Sequence, residues 1–215
     1  KHAGSSRAAR AGAAAAGLFC HRPAGRHPGD RGEVSPQAVG AFVAARTLAR
    51  TLVQATGLVT HALMPEMAAA SGRGDAVAVA AIARLNRMAA LALLVPGGVA
   101  LIAVGPWLFA TWTGGRLVLP PGTWPLIVVA ALLHGLWLSR ANLLLAVNRQ
   151  AAYAGPFFLV AVATVGLAAM AARSGGLPAV AAATVLGEVA MVVRLAGVER
   201  RSRSAMPPLT EALAR

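Results

Sequence analysis

The chain has 215 residues, of which 57% are hydrophobic and 13% charged, with a formal net charge of +13. Soluble domains carry about 25% charged residues, so this composition leaves too little polar surface for a water-facing exterior and excludes an ordinary soluble globule. A single cysteine, Cys20, excludes an internal disulfide framework and a Cys-rich metal site.

The basic excess would suggest nucleic acid in a soluble protein. Here the basic residues sit at the ends of apolar runs, where the positive-inside rule places them. No arginine groove with interleaved aromatics is visible, so no nucleic-acid partner is expected. Three stretches carry no charged residue: Met88 to Gly115, Leu117 to Ser139 and Gln150 to Ala172. A span needs about 20 mainly apolar residues to cross roughly 30 Å of hydrocarbon, and each stretch is long enough. The fold expected is all-α, a polytopic transmembrane bundle of about five spans.

Residues 1–33 differ from the rest. They hold Lys1 and scattered Arg, Pro, Gly and His, and their longest apolar run, Ala11 to Cys20, is too short to span. Two readings stand: a basic disordered tail, or a segment read out of frame from a GC-rich gene. The late start of the first apolar helix suggests a fragment of something longer.

The transmembrane bundle is expected over residues 34–198. Its first span, about 36–65, begins at Ser35-Pro36, a cap residue followed by Pro at the first helical position. A polar connector is expected from Glu66 to Arg87, turning at Ser71 to Asp75, with a helix from Ala76 leading onward. The second span is about 88–112, with a kink expected near Pro96 and Trp107 and Trp112 at its interfacial end. A Gly/Pro loop from Thr113 to Gly122 precedes the third span, about 123–147. The fourth is about 151–172, the chain turns at Arg173 to Gly176, and the fifth is about 177–198. Residues 199–215 form a tail outside the membrane.

Arginine counts give an orientation. On one side lie Arg73, Arg84, Arg87, Arg149, Arg200, Arg201, Arg203 and Arg215; on the other, leaving residues 1–33 aside, only Arg116 and Arg173. The richer side, with the C-terminus, is expected in the cytoplasm.

The most informative feature is a polar stripe. Arg46, Arg50, Gln54 and His61 project within one arc of about 80° on the first span. An intramembrane arginine costs about 2.5–3.5 kcal/mol on insertion scales. Snorkelling to the interface accounts for Arg46 but less well for Arg50, and not for the alignment with Gln54 and His61. A water-filled cavity that receives anionic groups such as phosphates accounts for all four. Glu188, with Thr184 one turn earlier, is either a counter-ion for arginine or a titrating group in ion coupling. His134 and Asn142 share a face of the third span, and Arg140 points elsewhere. A lone histidine such as His134 is most simply a hydrogen-bonded packing residue. Arg194 is read as snorkelling. There is no Gly-rich phosphate loop, no metal-ligand spacing and no Ser/His/Asp set, so no enzyme and no cofactor are expected.

Several segments follow one another in a recognisable order: Val39-Gly40-Ala41-Phe42, Ala45-Arg46-Thr47-Leu48, Ala62-Leu63-Met64-Pro65-Glu66, Gly72-Arg73-Gly74-Asp75, Gly105-Pro106-Trp107, Trp112-Thr113-Gly114-Gly115 and Leu144-Leu145-Ala146-Val147-Asn148-Arg149. Over residues 34–198 this order resembles the C-terminal half of bacterial polysaccharide biosynthesis proteins. These are the lipid-linked oligosaccharide (O-antigen and exopolysaccharide) flippases of the multidrug/oligosaccharidyl-lipid/polysaccharide (MOP) superfamily. The resemblance implies a MATE-like carrier of two six-helix bundles, of which these spans are the last five of twelve. It implies the bacterial inner membrane, a cytoplasmic C-terminus and no covalent chemistry. Its implied partners are membrane lipid, a lipid-diphosphate-linked oligosaccharide, the N-terminal bundle that completes the cavity, and other polysaccharide-assembly proteins. It implies that Arg46 and Arg50, with Arg140, line a cationic cavity, which Gln54 and His61 join as members of the stripe, and that Glu188 serves as counter-ion or coupling group. The alternatives are a drug/cation antiporter fragment of the same superfamily, which should favour acidic and aromatic residues over arginine, and a non-transporting product of a broken gene.

Overall fold

The computed structural model describes residues 35–204; the expectations for 1–33 and for the end of the tail lie outside them. Among the described residues there is no strand. The chain forms α1 (Pro36–Gly72), α2 (Ala76–Thr113), α3 (Thr123–Ala146) and α4 (Ala151–Ser204).

Helix α1 starts where the sequence places it. The Ser35 side chain accepts from the Ala38 amide at 3.2 Å, and Pro36 takes the first turn, where its missing N–H costs nothing. The expected connector from Glu66 to Arg87 is corrected. The helix continues through Pro65 to Gly72, and Asp75 caps α2 by accepting from the Ala78 amide at 2.9 Å. Only residues 73–75 separate the two helices. Helix α2 runs through Pro96 and Pro106 and ends on Gly114 in the left-handed conformation, φ 60°, where a side chain would be strained.

The 54 residues of α4 are not one straight rod. Gly176 has φ 62° and ψ −153°, outside helical geometry. A Cβ on Gly187 would collide with the Thr164 side chain. Along an unbroken helix those residues would stand about 35 Å apart. The chain therefore folds back at Gly176 into two antiparallel arms, 151–175 and 177–204. The second arm runs parallel to α3 in a fixed register. His134 meets Glu188 across 54 residues, and the same offset pairs Trp137 with Met191 and Ala141 with Leu195 in one buried cluster.

Three helical stretches are long and apolar enough to cross a membrane: Ala76–Thr113, Thr123–Ala146 and Tyr153–Val198. Helix α1 is long enough but not apolar enough, because its stripe of Arg46, Arg50, Gln54 and His61 interrupts it. The surface is inverted relative to a soluble protein. Val95, Val99 and Ile102 on α2, Phe158, Leu159, Val162 and Val165 on the first arm, and Val189 and Val193 on the second are all exposed. The buried face of α1 is built from Ala41, Ala45, Ala49 and Val53, packed with Ile127 and Val128 of α3. Small residues let helix backbones approach closely where hydrophobic burial gives no gain. The same logic explains Gly105, whose absent Cβ leaves room for the Trp124 ring; Trp124 donates to the Leu101 carbonyl at 2.9 Å.

One buried polar cluster ties three helices. The Thr60 hydroxyl lies 2.9 Å from the Asn86 amide oxygen, and the Asn86 amide nitrogen donates to the Ser139 carbonyl at 3.2 Å. Thr60 and Asn86 are fully buried. Without water these groups must find protein partners, and here α1, α2 and α3 supply them.

The hairpin in α4 is directly testable. In a Cys20→Ser background, Thr164→Cys with Gly187→Cys is expected to form a disulfide under mild oxidation. A straight helix would leave the pair uncrosslinked, as scored by a gel shift after cleavage between the arms.

Candidate functional site: a cationic cleft

The stripe on α1 arises because its apolar and small residues recur on one side and its polar residues on the other. With Ala41, Ala45, Ala49 and Val53 packed inward, Arg46, Arg50, Gln54 and His61 are turned outward, and all four are exposed. They do not face empty surroundings. Phe42, Arg46 and Arg50 of α1, His134 of α3, and Thr184 and Glu188 of the second arm line one narrow, open cleft. A second, wider recess is lined in part by Arg50, Gln54, His61, His134 and Asn142. Arg50, Val53 and His134 border both, so the polar lining runs continuously along α1.

The centre of the cleft is a hydrogen-bonded group. The Nδ1 of His134 lies 3.1 Å from Glu188 Oε1 and 3.2 Å from Oε2. The Trp137 indole N–H donates to Glu188 Oε2. An ionised carboxylate only accepts, so in that state the His134 proton sits on Nδ1. The two side chains are 23% and 14% exposed, enough to touch the cleft while their bond is sheltered. His134 also stands edge-on to Trp137, with ring centroids 4.9 Å apart, and Trp137 packs on Phe157 of the first arm at 5.7 Å. The group thus joins α3 to both arms of α4.

The residues singled out in the sequence are distributed as follows. Arg46, Arg50, Gln54, His61, His134, Asn142, Thr184 and Glu188 come together on one continuous lining. Arg140 does not join them. It lines a separate cleft with Asp75, Arg84, Arg87 and Arg149. Glu188 is held by histidine and tryptophan rather than by arginine; among the described residues, neither Arg46 nor Arg50 forms a salt bridge. Sequence reasoning did not find the role of Trp137. Its signal was present: Trp137 lies one turn after His134 on α3, and a buried indole needs an acceptor for its N–H.

The arrangement has the chemistry to bind anionic groups. Two guanidiniums and two histidines line the groove against one carboxylate that is already engaged. Guanidinium presents a planar fork suited to phosphate and carboxylate oxygens. Among the described residues no group of three metal-ligating side chains is assembled. Compared with protein-family models, curated proteins and solved structures, the chain finds no match in any of the three.

Glu188→Ala is expected to destabilise the protein by about 1–3 kcal/mol, because it strands the sheltered Trp137 N–H and the His134 N–H. Glu188→Gln is expected to cost less, since an amide oxygen still accepts from the indole. Thermal unfolding in detergent checks the order.

Proposed function

We propose that this chain is the C-terminal bundle of a bacterial inner-membrane carrier that moves lipid-linked oligosaccharide from the inner to the outer leaflet for polysaccharide biosynthesis. The observation that carries the reading is the cationic cleft. Arg46, Arg50 and His61 are exposed on a helix surrounded by apolar partners. A lipid-facing arginine near a helix centre costs about 2.5–3.5 kcal/mol. A hydrated cavity that receives a diphosphate removes that cost and uses the charge.

In this reading α1, α2, α3 and the two arms of α4 are five spans. The reversal at Gly176 and the Thr164–Gly187 contact support counting α4 twice. The turns at residues 73–75 and 147–150 lie at one end, since Gly74 and Arg149 border the same cleft. Gln37 at the start of α1 donates to the Arg116 carbonyl at 3.3 Å at the other end. The arginine-rich end is cytoplasmic under the positive-inside rule. The substrate diphosphate sits between Arg46 and Arg50, a second bundle supplies the opposing wall, and rocking of the two exposes the cleft to alternate leaflets. Glu188 is engaged by His134 and Trp137, so the lining is cationic. That disfavours drug/cation antiport, which needs available carboxylates.

Two experiments test the reading. In a Cys20→Ser background, Gln54→Cys and His61→Cys are expected to react with a membrane-impermeant thiol reagent, and Val162→Cys and Val165→Cys are not. The complete gene encoding this chain is expected to restore surface polysaccharide to a strain lacking its flippase, with Arg46→Ala and Arg50→Ala expressed but failing to restore it. Rescue by both variants at the unmodified level would remove the diphosphate-binding role.

A further inference from the structure

The second large cleft lies away from the stripe, and the reading above does not use it. It opens at the end of the bundle where α1 meets α2 and α3 meets α4. Its walls have two characters. Val79 and Ala83 of α2, Leu143 and Leu144 of α3, Val147 just after it, and Val198 of the second arm are apolar. Arg84, Arg87 and Arg149 border the same space, and Arg140 contributes to its lining. Arg84 and Arg149 are exposed and Arg87 is half-buried.

The charge here is one-sided. Asp75 is the acidic residue on the lining, and its carboxylate is committed to the start of α2, accepting from the Ala78 amide at 2.9 Å. Arg84 and Arg87 stand one turn apart on α2, so their guanidiniums lie on neighbouring faces. Asn86, between them in sequence, borders the same space, and its amide is engaged by Thr60 and the Ser139 carbonyl. That clamp fixes α2 against α1 and α3 and so fixes the floor of the cleft.

We propose that this cleft is a binding site for one anionic glycerophospholipid of the leaflet at the arginine-rich end. The three guanidiniums hold the phosphate, and an acyl chain lies along the Leu143, Leu144 and Val147 wall. Charge complementarity selects the occupant. Free phosphate or nucleic acid would use the arginines but leave the apolar wall wet. A zwitterionic lipid would fill the wall but bring its own cation beside three others. An anionic amphiphile satisfies both halves, as basic pockets between membrane helices do elsewhere. The site depends on membrane insertion alone and not on the transport reading, because lipid retention is measured without transport.

The test is native mass spectrometry of the full 215-residue chain released from neutral detergent, with phosphatidylglycerol or phosphatidylcholine of matched chains added. The expected result is one retained phosphatidylglycerol and no retained phosphatidylcholine. Arg84→Gln with Arg149→Gln, both exposed and checked for unchanged helicity, is expected to weaken retention about 30-fold, roughly a factor of five for each charge removed. Arg46→Gln with Arg50→Gln is expected to leave it unchanged. Equal retention of both lipids overturns the proposal, as does loss only in the Arg46/Arg50 variant. Preferential displacement of phosphatidylglycerol by a polyprenyl diphosphate overturns it too and assigns the cleft to the transport substrate instead. Failure of polysaccharide rescue, with this binding intact, would remove the carrier reading and leave the lipid site standing.

Discussion

Hydrocarbon does not solvate a guanidinium, and that constraint organises the structure around α1. The other helices carry longer apolar faces, with valine, leucine and phenylalanine exposed on them. Helix α1 has one permissible orientation. Its alanines must pack against α3, and its arginines must look toward polar space. The close approach made possible by Ala41, Ala45 and Ala49 brings His134 of α3 to the edge of the stripe. The parallel register of the second arm then brings Glu188 to His134. The cleft therefore follows from the packing face of α1.

Three sets of polar groups inside the bundle are matched across helices, and these matches set helix register where apolar packing would tolerate sliding. Thr60, Asn86 and the Ser139 carbonyl fix α1, α2 and α3 near one end. His134, Trp137 and Glu188 fix α3 against the second arm near the middle. Trp124 fixes α3 against α2 near the other end through the Leu101 carbonyl, over Gly105. Interhelical hydrogen bonds in membranes average only about 0.6 kcal/mol. Their contribution here is to specify one register among several of similar packing energy. Displacing α3 by one helical turn along the second arm would leave the Trp137 N–H and the Glu188 carboxylate without each other.

Local signals in the sequence translated well into local structure. Ser35-Pro36 starts α1, Gly114 ends α2, and Gly176 sits at the reversal, because capping and left-handed φ values depend on a few adjacent atoms. The stripe was legible because it needs only the 3.6-residue period. What was not legible depended on distant pairs. Pro65 suggested an end to α1, yet the helix runs on to Gly72, with Met67 and Ala70 buried beyond it; tertiary packing outweighed the local break. Nothing within α3 says that Trp137 will donate to a carboxylate in α4, since that pairing requires the arm's register. Asn86, placed by sequence in a polar connector, is instead 1% exposed at the junction of three helices.

The two cationic clefts are chemically distinct, and the difference lies in what surrounds the arginines. In the stripe, Arg46 and Arg50 adjoin Gln54, His61, His134, Thr184 and Asn142, so polar groups follow one another along α1 beside Val53, Ile127 and Leu138. At the far end, Arg84, Arg87 and Arg149 adjoin leucine and valine, so hydration stops at a wall. The buried bonds of Thr60 and Asn86 lie at the edge of the second environment, which Asn86 itself borders. They hold α1 to α2 on either side, so the packing that shapes one cleft also bounds the other.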